Sequence, residues 1–237
     1  MRSLTDLRHL VLRFVPSTTA HSFAFPSLRT LEVSAGGRFD PTGIIQLLRA
    51  SSDGLSSLRL PPMNGGSEAA LAKELGRFAK TLTSLKIDFE STPATCPLSS
   101  MFTGFTALRT LDIAAPDLGL LRRLLSQLPK STLTSLEFLS ESPYFLRSYP
   151  NSAVDLEAIL SLPQLNKLER LELSLLAARG DDSEEMENPP GDEDGRFVEC
   201  MQRWEAKGLE IEGAYQWGFM SLAERRELGL EDWVDDV

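Results

Sequence analysis

Two histidines, His9 and His21, and two cysteines, Cys96 and Cys200, are the entire imidazole and thiol supply of this 237-residue chain. They lie far apart, outside any metal-ligand or disulfide spacing, so neither a metal site nor a disulfide framework is expected. No G-x-S-x-G, P-loop, G-x-G-x-x-G or H-E-x-x-H arrangement occurs. Hydrolase, phosphoryl-transfer, dinucleotide and zinc-protease chemistry therefore lack the residues that would carry them. Carboxylates are plentiful, but surface carboxylates are the ordinary state of a soluble protein. The expectation is a protein without enzyme activity or cofactor.

What does recur at regular spacing is two polar series. His9, Thr30, Ser57, Ser84, Thr110, Ser135 and Arg170 form one, in which five consecutive members carry hydroxyls. Val11, Glu32, Arg59, Lys86, Asp112, Glu137 and Glu172 form the other, two positions further on. Residues of these types hydrogen-bond and ion-pair, and on one surface they would recognise a protein rather than transform a small molecule. If neighbouring members lie on strands about 4.8 Å apart, Glu32 can pair with Arg59 and Lys86 with Asp112, cancelling charge along the row. Alternatively the row meets a partner, Arg59 and Lys86 taking acidic groups and Asp112, Glu137 and Glu172 basic ones. Glu137 and Glu172 have no cation beside them within the row.

The elements that would position these residues are short and repeated. Residues 26–35 read PSLRTLEVSA and residues 106–116 read TALRTLDIAAP. Seven phrases of the form L-x-x-L-x-L, with Val, Ile or Phe allowed last, run from Leu7/Leu10/Leu12 through Leu28/Leu31/Val33, Leu55/Leu58/Leu60, Leu82/Leu85/Ile87, Leu108/Leu111/Ile113 and Leu133/Leu136/Phe138 to Leu168/Leu171/Leu173. Their middle leucines fall at 10, 31, 58, 85, 111, 136 and 171, in steps of 21, 27, 27, 26, 25 and 35. In each phrase two apolar side chains two residues apart share one face of a strand, and the residue between them faces the other way. So short a strand is stable only beside copies of itself, and parallel copies need crossovers. Asp40-Pro41 opens one crossover helix as N-cap and first helical residue. Ser67 and Asp117 cap two more, and residues 153–162 give a fourth. The segments 14–26 and 89–105 read as irregular or short helical crossings.

This pattern resembles the leucine-rich repeat family over residues 4–176. The resemblance implies an α/β solenoid, with parallel strands on a concave face and helices and irregular crossings on a convex one, whose inner surface binds proteins. The family's usual Asn, Cys or Thr three residues after the last leucine is replaced here by Val15, Gly36, Met63, Glu90, Pro116, Glu141 and Leu176. The repeats are degenerate, closer to the variable intracellular type. The chain also resembles the repeat region of fungal F-box proteins. That implies recognition of ubiquitin-ligase substrates, with an adaptor docking through an N-terminal helical segment that these residues do not contain. The alternative is a stand-alone repeat scaffold or regulator without a ubiquitin link.

The sequence divides into a repeat array of about seven units at 1–178, an acidic loop at 179–196 and a C-terminal capping segment at 197–237. Net charge is formally −10, which argues against a nucleic-acid partner. Eight carboxylates and no Lys or Arg fall in residues 181–194, DDSEEMENPPGDED, which reads as a solvated, disordered loop, the alternatives being a contact for a basic partner or weak calcium binding without EF-hand spacing. Arg179-Gly180-Asp181 spells an adhesion tripeptide too short to be specific. In the capping segment, Phe197, Cys200, Met201 and Trp204 follow helical spacing, Gly208 suits the helix end, and Leu209 and Ile211 offer an eighth strand. Ser221 and Glu224 resemble a capping box for a last short helix, with Trp217, Phe219 and Trp233 adding apolar surface. At the other end Leu7, Leu10 and Leu12 form an edge open to water, which predicts an N-terminal segment packed upon it. No apolar run has membrane-spanning length, the N-terminus lacks a secretory apolar core, and no N-x-S/T acceptor occurs. A reducing compartment, cytoplasmic or nuclear, is expected.

Overall fold

The structure is a computed structural model, and it describes residues 2–13, 23–34, 41–61, 68–89, 102–115, 118–129, 133–140, 152–175 and 196–212. Each L-x-L phrase lies on a strand. These are β2 (His9–Leu12), β4 (Thr30–Val33), β5 (Ser57–Arg59), β6 (Ser84–Asp88), β7 (Thr110–Ala114), β8 (Ser135–Ser140) and β9 (Arg170–Leu175), followed by β10 (Glu210–Glu212). Two shorter strands, β1 (Arg2–Ser3) and β3 (Phe23–Ala24), form a separate parallel pair. The eight longer rungs make one open sheet, all parallel, in the order of the chain from β2 to β10. Register is leucine on leucine: Leu10, Leu31, Leu58, Leu85, Leu111, Leu136, Leu171 and Ile211 pair in succession. A slip of one residue would turn every core side chain outward, so the apolar pattern alone enforces this alignment.

Among the described residues five α-helices lie in the crossovers, α1 (Pro41–Ala50), α2 (Glu68–Leu75), α3 (Leu118–Leu125), α4 (Ser152–Leu160) and α5 (Arg196–Glu205). Helices α1, α2 and α3 are described from Pro41, Glu68 and Leu118, and the expected caps Asp40, Ser67 and Asp117 lie outside the described residues. In α3, Leu118, Leu121, Leu124 and Leu125 follow helical periodicity and are all buried. Helix and strand side chains join in a single core cluster. Burying one such leucine contributes about 1.5–3 kcal/mol, so the stack as a whole, rather than any single turn, is what holds it together. Helices α1 and α2 touch, as do α3 with α4 and α4 with α5. The crossover from β6 to β7 has no α-helix among its described residues. Phe89, Phe102 and Phe105 are buried there, the last two with ring centroids 5.8 Å apart and tilted by 60°. These aromatic side chains add their volume to the core in this turn.

Part of the segment expected to be irregular is extended. Phe23 and Ala24 form β3, and Phe25 bridges Ser51 in parallel, its N–H donating to the Ala50 carbonyl at 2.8 Å while its carbonyl accepts the Ser52 N–H at 3.1 Å. Short polar-flanked strands of this kind give too little periodicity to be seen in sequence. The turns are also tied by one partly buried ion network. Glu74, 6% exposed, accepts from Arg49 Nε at 2.8 Å and lies 3.6 Å from Arg77. Arg77 in turn donates to the Leu48 and Ser51 carbonyls at 3.2 and 3.3 Å and to Asp53 at 2.7 Å. Its guanidinium thus adds donors to carbonyls at and just past the end of α1, where intrahelical bonds run out. Gly208, at φ +92°, makes the left-handed turn between α5 and β10. Among the described residues no helix is long and apolar enough to cross a membrane.

Candidate functional site

Because side chains alternate along a strand, the face of the sheet opposite the leucines displays both polar series. The hydroxyl series is in register across five strands, Thr30, Ser57, Ser84, Thr110 and Ser135, flanked by His9 and Arg170. Thr110 is exposed and the other four are half-exposed. The charged series lies beside it on the same face: Val11, Glu32, Arg59, Lys86, Asp112, Glu137 and Glu172, each opposite the next.

The two ion pairs expected from spacing are present. Arg59 Nη1 donates to Glu32 Oε1 at 3.2 Å, and Lys86 Nζ contacts the Asp112 carboxylate. Glu172 has a cation close by, since Arg170 Nη2, two residues earlier on the same strand and in the hydroxyl series, lies 3.5 Å from Glu172 Oε2. A side chain of one series thus meets a side chain of the other on the shared face.

Among the described residues no cation is paired with Glu137. Partial burial raises its carboxyl above the usual range, the neighbouring Asp112 raises it further, and Glu172 adds to the effect. Lys86 opposes them without cancelling them. The row therefore runs from a neutralised basic middle to an acidic end at Asp112, Glu137 and Glu172, and Glu212 on β10 continues it in register.

A third series escaped the sequence reading. The residue just before each hydroxyl-series position, Arg8, Arg29, Ser56, Thr83, Arg109 and Thr134, offers a carbonyl that accepts two successive N–H groups from the next turn, at 2.8–3.1 Å. Hydroxyls reinforce the chain of contacts, with Ser56 Oγ donating to Arg29 O at 3.1 Å and Thr83 Oγ1 to Ser56 O at 3.0 Å. This spine ties the entry of each strand from β4 to β9 to the entry of the strand before it. Its sequence signal is weak: Ser or Thr at two adjacent positions before the middle leucine in three of the six rungs, and Arg at the first of those positions in the other three.

At the far end of the sheet, α5 docks on α4 through a carboxylate. Glu157 Oε2 accepts from Cys200 Sγ at 3.1 Å and Trp204 Nε1 at 3.4 Å, and Arg203 Nη1 lies 3.4 Å away. These donors, the thiol first, hold Glu157 below the usual carboxylate range. Burial, then Glu157 itself, pushes the Cys200 thiol up to about 12, so it is an inert hydrogen-bond donor. Beside it is an open groove of about 380 Å³ lined by Leu160, Leu162, Pro163, Leu165, Trp204 and Lys207. Lys207 Nζ stacks 3.9 Å over the Trp204 ring.

No family model, curated protein or solved structure matches the chain. Among the described residues no three His, Cys, Asp or Glu side chains are arranged to hold a metal ion. His21, Cys96, the tripeptide at 179–181, the acidic run 181–194, the positions Val15, Gly36, Met63, Glu90, Pro116, Glu141 and Leu176, and Ser221, Glu224, Trp217, Phe219 and Trp233 lie outside the described residues.

Proposed function

We propose that this chain is a leucine-rich-repeat solenoid acting as a non-catalytic protein-interaction module. Its partner lies along the polar face of the sheet, with Arg59 and Lys86 taking acidic groups, Asp112, Glu137 and Glu172 taking basic ones, and the hydroxyls of Thr30, Ser57, Ser84, Thr110 and Ser135 supplying hydrogen bonds. Seven leucine phrases in leucine-on-leucine parallel register support the repeat reading. The observation that carries the binding reading is Glu137, a carboxylate held between two others and left short of positive charge. A cation brought by a partner would relieve that repulsion, so the free protein carries a cost that binding removes.

The substrate-recognition region of an F-box-type ubiquitin-ligase subunit is the specific role that the repeat resemblance suggests. A stand-alone scaffold or regulator fits the same face without the ligase. Quantitative affinity capture with the wild type and a Glu137→Lys/Glu172→Lys variant, both checked for identical circular dichroism, tests the face. The expected result is a set of captured proteins lost on charge reversal. An unchanged set would refute the acidic half of the reading. Co-capture of a ubiquitin-ligase adaptor would select the F-box role over the scaffold.

A further inference from the structure

The first leucine of each phrase closes the core at the entry to its strand. Leu28, Leu55, Leu82, Leu108 and Leu133 are at most 1% exposed. Strand β10 lies in register with β9, Ile211 on Leu171, so the eighth place in this series falls three residues before Ile211, and it holds Gly208. A side chain is missing there, since a Cβ on Gly208 would meet nothing within 4 Å. The left-handed turn at Gly208 also interrupts the backbone spine. The Leu209 N–H donates back to the Trp204 carbonyl at 3.2 Å instead of joining Glu210 on the Glu169 carbonyl. Leu168, the preceding member of the leucine series, is left only partly buried, and the groove of about 380 Å³ opens between Leu165, Leu168, Trp204 and Gly208.

Volume and charge select the occupant. Ligand pockets begin at about 300 Å³, so this groove suits one large side chain with its immediate neighbours. Its lining is apolar apart from Ser161, Asn166 and Lys207, and it includes no carboxylate. Lys207 is exposed, as is Lys167 beside Asn166. An aromatic residue flanked by carboxylates fits such a lining. Residues 227–237, ELGLEDWVDDV, which lie outside the described residues, carry Trp233 among Glu227, Glu231, Asp232, Asp235 and Asp236 with no Lys or Arg. Residues 213–222, which hold Trp217 and Phe219, carry no charge. Trp233 is twenty-one residues past Glu212, and a chain of that length spans up to about 70 Å, enough to return to Gly208. We propose that the groove is the docking site of this chain's own Trp233, whose ring takes the place of the leucine that the eighth phrase lacks, with the flanking carboxylates on Lys207. Tethering favours this occupant over the same segment of a second copy, because a linked segment is present at an effective concentration on the order of millimolar.

Fluorescence anisotropy with a fluorescein-labelled synthetic peptide of residues 229–237, Gly-Leu-Glu-Asp-Trp-Val-Asp-Asp-Val, tests the assignment on the whole chain. Saturable binding to Trp233→Ala is expected, at least about tenfold tighter than to the wild type, whose groove is already filled. Adding Lys207→Glu to Trp233→Ala should weaken peptide binding at least about tenfold, and a peptide with Ala in place of Trp should not bind. Circular dichroism checks that each variant is folded. A second measurement needs no peptide: Lys207→Glu and Asp232→Lys/Asp235→Lys should each lower the melting temperature by about 1–2 °C, and their combination should recover part of the loss. Absence of saturable binding to folded Trp233→Ala, equal affinity for the wild type, or charge reversals whose losses simply add would overturn the assignment. So would concentration-dependent association of the wild type that Trp233→Ala abolishes, because the groove would then take the segment from a second copy.

Discussion

Replacing Glu137 by Gln should stabilise the protein, although it removes a charge from a row that is otherwise ion-paired. Glu137 sits between Asp112 and Glu172 on adjacent strands. Two unit charges about 5 Å apart repel by about 0.8 kcal/mol in water and about 3 kcal/mol at an effective dielectric of about 20. The side chain is half-exposed, so the aqueous end of that range applies, and solvent screening discounts it further. Lys86 and Arg170 neutralise part of the neighbouring charge. The net gain from Glu137→Gln is then about 0.5–1 kcal/mol at neutral pH, a rise in melting temperature of about 1–4 °C for a chain of this size. The pH dependence has a fixed sign. A carboxyl whose pKa is raised on folding contributes stability that is full below the ordinary carboxylate range and is lost as pH rises through the folded value. The advantage of the variant should therefore vanish near about pH 3 and be full near about pH 7, and added salt should shrink it. Thermal melts of both proteins at the two pH values and at low and high salt measure this. A variant less stable than the wild type at neutral pH, or an advantage that persists in acid, would refute the charge-repulsion argument.

Core position should outweigh residue type elsewhere in the stack. Leu111→Ala, at a fully buried site in a central strand, should cost about 3–5 kcal/mol in urea denaturation, and Leu10→Ala on the open edge less than about half of that, although both are middle leucines. Cys200 should resist a thiol-reactive disulfide reagent in the native state and react on unfolding, measured in a Cys96→Ser background. Because its folded pKa is raised, the stability linked to Cys200 should be intact below about pH 8.5 and decline above it.

Much of the fold is legible from one-dimensional pattern because every turn repeats the same local problem. An L-x-L phrase is too short to bury itself, so seven of them at near-constant spacing specify strands, register and side by side. The pairs Glu32–Arg59 and Lys86–Asp112 follow from that register, since residues at equal offsets in adjacent phrases must become neighbours. The short strand at Phe23–Ala24 and the aromatic packing of Phe102 and Phe105 were not legible, because a two-residue strand has no period and a filled crossover depends on volume rather than sequence order.

The sequence by itself thus determined which side chains face the core and which face away, because alternation on a strand is a local property of the backbone. Only the tertiary structure decided how charges add up between rows. Arg170 reaches Glu172 from the hydroxyl series, Glu137 is squeezed by two carboxylates, and Glu157 gathers Cys200, Arg203 and Trp204 from a helix more than forty residues away. The physical reason is distance. Coulomb energy and hydrogen bonding depend on a few ångströms in space, and those separations exist only once parallel strands and crossover helices have brought remote segments side by side.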